Sequence, residues 1–142
     1  MDSRNLQEVI SDWQPRLSNI TERDSDFVVG TKWTRKEILG HLIDSAANNH
    51  QRFIRLQDGN LSGFPGYEQE KWVNAGGYSK NSWTNLVELW AQYNRQLALV
   101  VENIDPKCKD NLWEDRSMTL EFLVNDYVRH LTHHLDQICQ SS

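Results

Sequence analysis

Apolar residues recur along this chain at spacings of three and four, the signature of a helix that buries one face. Four stretches show the pattern. In the first, residues 3 to 17, Leu6, Ile10, Trp13 and Leu17 share a side, with Asp2 or Ser3 as cap. Pro15 falls late in it and is expected to end or bend the helix. The second runs from about 34 to 57 and opens with Thr34 and Glu37, the spacing of a capping box. Ile38, Leu39, Leu42, Ala46, Phe53 and Leu56 form its apolar face, and Asp58-Gly59-Asn60 stops it with a turn signal. The third, about Ser82 to Asn103, turns Leu86, Leu89, Trp90, Tyr93, Leu97 and Val100–Val101 inward, and Pro106 follows its end. The fourth, about 119 to 139, aligns Leu120, Val124, Tyr127, Leu131, Leu135 and Ile138. Four helices and no convincing strand pattern predict an all-α helical bundle.

The connections are less regular. Residues 18 to 32 read as a polar loop with an extended piece at Phe27–Val29, and 104 to 118 as a linker. Residues 59 to 81 form a connection long enough to suggest function or mobility. Its Phe64, Tyr67, Trp72 and Tyr78 favour packing against the body, with a short helix at 67–74. Two readings stay open: a lid over a pocket, or a cap over one apolar end of the helices.

Composition narrows the class. A length of 142 residues predicts a single domain, 1–142. An apolar share of 38% is modest, but six tryptophans supply the buried area a core needs. No apolar run approaches the roughly 20 residues that span a bilayer, and the N-terminal stretch lacks a signal-peptide core, so a cytoplasmic protein without membrane contact is expected. A net charge of −5 argues against nucleic acid as partner. Cys108 and Cys139 fit no CxxC spacing and read as free thiols.

Candidate chemistry lies in the polar residues that interrupt the apolar faces. His41, Ser45, Asn48 and Asn49 sit on or beside the inner face of the second helix, where buried polar groups need partners. All five histidines fall on the second and fourth helices. Winding the fourth at about 100° per residue turns His134 inward, sets His130 at the edge of the inner face and points His133 to solvent. His130 and His134, four apart, are neighbours able to share one metal ion. His41, on the flank of the second helix, is the candidate third ligand; its periodicity permits that role without requiring it. His50 falls on the other flank. The Glu-x-x-His pairs of a di-iron bundle, the HExxH of zinc proteases and a serine-nucleophile elbow are all missing.

Two motifs resemble a known family. Trp33, Thr34, Glu37, Ile38, His41, Leu42, Asp44 and Ser45 follow W-[ST]-x-x-E-[IVL]-x-x-H-[IL]-x-D-[ST]. His130, His133, His134, Gln137 and Ile138 follow H-x-x-H-H-x-x-Q-I. Together they resemble the DinB/YfiT-like proteins over nearly the whole chain. The resemblance implies a four-helix bundle of up-down-down-up topology, often a homodimer, in which three histidines hold one divalent ion, usually zinc or nickel. Residue by residue these are His41, His130 and His134. Relatives include transferases that attach low-molecular-weight thiols such as bacillithiol to electrophiles, and a mycothiol-dependent isomerase.

Three neutral histidines with open positions would make a catalytic site rather than a structural one. Carboxylates that can accept a ligating histidine's second N–H are Asp44, Asp126 and Glu37, the last equally a capping residue. Asn48, Asn49 and Tyr127 are candidates for lining a pocket; Tyr127 is equally a core aromatic. The resulting expectation is a metal-dependent enzyme acting on a small-molecule substrate, either a thiol S-transferase with a bacillithiol-type co-substrate or a hydrolase. The alternative is a non-catalytic metal- or small-molecule-binding bundle.

Overall fold

All four predicted stripes become long helices. The computed structural model describes residues 1–30 and 32–140. Thr31, within the predicted loop 18–32, and Ser141 and Ser142, at the end of the predicted domain 1–142, lie outside the described residues. The elements are α1 (Ser3–Ser18), α2 (Glu22–Ser25), α3 (Arg35–Arg55), α4 (Gln69–Gly76), α5 (Trp83–Glu102), β1 (Leu112–Trp113), β2 (Met118–Thr119) and α6 (Leu120–Ile138), with single 3₁₀ turns between several of them.

Each long helix begins on a side chain that accepts an otherwise orphaned backbone N–H: Asp2 for α1, Thr34 for α3, Ser82 for α5 and Thr119 for α6. At Thr34 the capping box is complete, since Glu37 N–H reaches Thr34 Oγ1 at 3.2 Å and Glu37 Oε1 accepts from Thr34 N–H at 3.1 Å. Pro15 does not end α1, which continues to Ser18. It leaves the Ser11 carbonyl, four residues earlier, without its helical donor, but Ser11 is exposed and solvent can serve it. Leu89, expected inward, is 45% exposed; Leu86, Trp90, Leu97 and Val101 carry the buried stripe of α5 instead.

Hydrogen bonds across the helix ends define the topology. Trp83 Nε1, at the start of α5, donates to Leu17 O at the end of α1 (2.8 Å), so these two helices run antiparallel. Arg35 Nε, at the start of α3, donates to Ile138 O at the end of α6 (2.9 Å), making that pair antiparallel as well. Glu22 joins the starts of α3 and α5, accepting from Lys36 Nζ (2.9 Å) and Trp83 N–H (2.7 Å), which makes those helices parallel. The bundle is therefore up-down-down-up, with α5 between α1 and α3, and α3 between α5 and α6. Its core is built from buried leucines together with Phe53, Trp83, Trp90, Trp113 and Tyr127.

Parallel neighbours require a long crossover, and residues 59–81 supply it. This segment is neither loose nor unstructured. Leu61 exchanges backbone bonds with the β1 strand (Leu61 N–H to Leu112 O, 2.9 Å; Glu114 N–H to Leu61 O, 2.9 Å). Trp113 Nε1 donates to Phe64 O at 3.0 Å. Helix α4, slightly later than the expected 67–74, lies on α3. The contact is close because Gly40 has no side chain: a Cβ there would stand 2.2 Å from the Tyr78 ring. The predicted extended piece also forms, as Val28 bridges to Thr34. Among the described residues no helix is long and apolar enough to cross a membrane.

Candidate metal centre

Arg35 sets the register that builds the site. Its guanidinium, buried in the bundle, donates to the carbonyls of Ile138 (2.9 Å), Gln140 (2.8 Å) and Asp24 (2.9 Å), capping the C-terminal end of α6 with the first residue of α3. At about 1.5 Å per residue, His41 lies about 9 Å along α3 from this anchor. His134 and His130 lie about 6 and 12 Å back along α6. Antiparallel packing thus brings all three histidines to one level.

Their ring nitrogens converge. His41 Nε2 and His130 Nε2 are 3.5 Å apart, and His130 Nε2 and His134 Nε2 are 3.2 Å apart. One ligand atom from each of the three lies within 4.8 Å of the others. His130 Nε2 has a single in-plane lone pair or proton, so it cannot bond well to both neighbours at once. A cation at the meeting point can satisfy all three. Nitrogens bound at about 2.0–2.1 Å to one tetrahedral ion stand about 3.3 Å apart, which matches the two separations from His130 Nε2.

The electrostatics suit neutral ligands. Burial, reinforced by the two facing imidazoles, holds His41 down at about 3. Burial and His134 bring His130 to about 4, and burial lowers His134, opposed by its bond to Gln137. All three rings are therefore neutral at pH 7 and can offer lone pairs. Gln137 Oε1 lies 3.1 Å from His134 Nδ1; accepting that N–H fixes the tautomer that leaves Nε2 free. The Trp33 ring covers His41 at 5.2 Å between centroids.

Other candidates fall elsewhere. His133 is exposed on the outer face of α6, and His50 shares a hydrogen bond with Tyr93 Oη (2.9 Å) on the α5 side. Neither joins the cluster. None of the expected carboxylates accepts from a ligating ring. Asp44 is buried, its acidity weakened by burial, and accepts from the Tyr78 hydroxyl. Asp126 pairs with Arg129, and Glu37 serves the capping box. His41 Nδ1 and Asp44 Oδ2 are both buried without a hydrogen-bond partner.

A cavity of about 280 Å³ adjoins His130. Asn49, Asp126 and Tyr127 line it, but Asn48 does not. The Asn48 amide turns back to the Asp44 carbonyl instead (2.9 Å), because it is one residue out of phase with the Ser45–Asn49–Arg52 stripe that faces the cavity. Tyr67, from the connection read as a lid or a cap, also lines it, and further walls come from residues given no site role: Arg52 from α3, Trp113 and Arg116 from the β1–β2 hairpin, and Gly66 from the crossover. Arg52 alone had a legible signal, lying three residues beyond Asn49 on the same helical face.

A sequence profile of the DinB superfamily matches residues 5–138. The chain belongs to the DinB superfamily. Among solved structures it is similar to YfiT from Bacillus subtilis, at 19% identity and a TM-score of 0.84, over 96% of this chain and 81% of that one. YfiT is described as a probable metal-dependent hydrolase with an unusual four-helix bundle topology. At that identity the likeness establishes the shared DinB fold. No curated protein matches the chain significantly.

Proposed function

We propose that this DinB protein is a divalent-metal-dependent enzyme whose ion is held by His41, His130 and His134. The observation that carries the reading is the convergence of three neutral, partly or fully buried imidazoles on one point beside a cavity. An all-imidazole donor set suits zinc or nickel. A bound ion would supply Lewis acidity and make a water or thiol nucleophile available near neutral pH. The protein's own groups do the rest. Gln137 orients His134, and Trp33 shields His41 from solvent. The Tyr67 phenol, held protonated by burial, lies in the cavity as a hydrogen-bond donor for substrate.

Within this class we favour thiol S-transfer, with a small thiol such as bacillithiol as co-substrate. Neutral ligands leave the ion its full charge, which favours an anionic thiolate. Hydrolysis is the second reading, favoured by the description of YfiT. The test is elemental analysis of untagged protein reconstituted with zinc or nickel, followed by assays with a thiol plus monochlorobimane and with an ester panel. About one ion per chain is expected, with turnover abolished by chelation and restored by metal. His41→Ala, His130→Ala and His134→Ala should each lose the ion, while His133→Ala and His50→Ala keep it. No stoichiometric metal after reconstitution would overturn the reading; metal without turnover would leave a binding module.

A further inference from the structure

We propose that the cavity beside His130 is an anion-recognition site, in which a carboxylate or phosphate group of a small substrate docks on Arg52 and Arg116. That the substrate's reacting end then points toward the three histidines rests on the metal reading above. The anion site itself does not.

Arg52 is 8% exposed, yet it forms no ion pair among the described residues. Its one hydrogen bond runs from Nη1 to Asn49 Oδ1 at 3.4 Å, and its Nε is buried without a partner. A guanidinium carries five N–H donors in a planar fork, so most of this fork is unused. Burial without a counter-charge disfavours the charged form, and the Arg52 pKa is accordingly lowered, with the Arg116 charge adding to the effect. What offsets that cost in the structure is aromatic contact: the Arg52 guanidinium lies over the Trp113 ring at 4.4 Å and near the Tyr67 ring at 5.9 Å. Aromatic faces hold a cation in place but leave its in-plane donors free, and those are the groups that grip a carboxylate or phosphate through two parallel bonds.

A second guanidinium faces the same cavity. Arg116 sits in the β1–β2 turn, before Ser117 in the left-handed region at φ 54°, and lies 5.7 Å from the Trp113 ring. It also has no ion pair among the described residues. Its exposed side chain passes close over Gly66, where a Cβ would stand 2.5 Å from Arg116 Nη2 and push the guanidinium aside. Among the described residues the only carboxylate lining the cavity, Asp126, is already bonded to Arg129. Two cations have thus been brought to one ring and one cavity, on a chain whose net charge is −5, without an acidic partner. Such an arrangement suits an incoming anion, and the cavity of about 280 Å³ limits it to a small one.

The test uses the full-length protein in two states, zinc-reconstituted and chelator-stripped, titrated calorimetrically with inorganic phosphate, with succinate and with the neutral succinamide. At least one anion should bind in both states and succinamide in neither; which anion binds separates a phosphate-bearing substrate from a carboxylate-bearing one. Arg116→Gln should weaken binding at least tenfold. Gly66→Ala, which keeps both charges but displaces the Arg116 guanidinium, should also weaken it, and zinc content should not change in either variant. Arg52→Lys, which keeps the charge and loses the fork, should bind more weakly than wild type. The proposal is overturned if neither anion binds, if succinamide binds as well, if binding disappears on chelation, or if Arg116→Gln and Gly66→Ala leave affinity unchanged. Whether the histidines hold zinc is read separately, from the metal content, so the two readings can fail independently.

Discussion

Acid should weaken the metal-free protein through His41, and the size of the effect follows from its burial. The ring is fully buried, and its pKa falls from the ordinary 6.5 to about 3. Above the unfolded value both states are neutral and the group contributes no pH dependence. As pH drops below it, the unfolded chain takes up a proton that the folded chain refuses, so stability falls, and the loss levels off only near the folded value. Each unit of pH in this window costs about 1.4 kcal/mol. Between about pH 7 and pH 4.5, roughly two units of the window are crossed, and His41 should account for about 2–3 kcal/mol, a large fraction of a small domain's stability. The assay is urea unfolding of chelator-stripped wild type and His41→Gln at those two pH values. Carboxylates titrate in both proteins and cancel in the difference. His130 owes its shift first to burial and then to His134, and His134 owes its shift to burial and His133, opposed by Gln137; neither depends on His41, so they largely cancel too. The variant should lose about 2–3 kcal/mol less than wild type on acidification. Equal losses would refute the argument that His41 is buried as the neutral ring.

Three further outcomes are expected. Gln137→Ala removes the acceptor at His134 Nδ1 and should weaken metal binding about 10- to 100-fold without unfolding the protein, as read by competition with a chromophoric chelator. Tyr127→Phe leaves the buried Asn94 Oδ1 without its 2.5 Å partner and should cost about 1–3 kcal/mol in urea unfolding. Gly40→Ala drives a methyl group into the Tyr78 ring and should cost about 1–3 kcal/mol, much of it recovered when Tyr78→Ala is added, in a double-mutant cycle of thermal unfolding.

The helices were legible because each one announces itself twice, by a capping side chain and by an apolar stripe. Thr34 with Glu37, and the run from Leu120 to Ile138, are the clearest cases. The phase of α6 separated His130 and His134 from His133 for the same reason: four residues of helix bring a side chain back to within about 40° of where it started, whereas one residue rotates it by about 100°. His41 was harder to place. A wheel centres the buried face on the apolar residues, and α3 is buried on more of its circumference than its leucines indicate, since Tyr78 covers Gly40 and Asp44 while Glu22 and Asp26 cover Lys36. The cavity was legible only in part: Ser45, Asn49, Asp126 and Tyr127 come from helical faces, and Tyr67 from the long connection, but its far wall was not. Trp113, Arg116 and Gly66 belong to segments without periodicity, brought together by backbone bonds from Leu61 to the hairpin that no local pattern encodes. Arg35 was missed because a charged residue beginning a helix ordinarily reads as solvated surface, whereas here it closes the end of another helix.

The unequal depth of the three histidines has a kinetic corollary. His41 is sealed inside the bundle, while His130 and His134 are only partly buried, along one edge of α6. In the proposed metal-bound state, an ion would meet the two partly exposed nitrogens before the inner one, and leave in the reverse order. Exchange would then depend on how freely the C-terminal turns of α6 move, and so on how firmly Arg35 holds their carbonyls. Loosening that clasp would speed both loading and escape while altering equilibrium occupancy far less, giving a protein whose metal turns over quickly although its donor atoms are untouched.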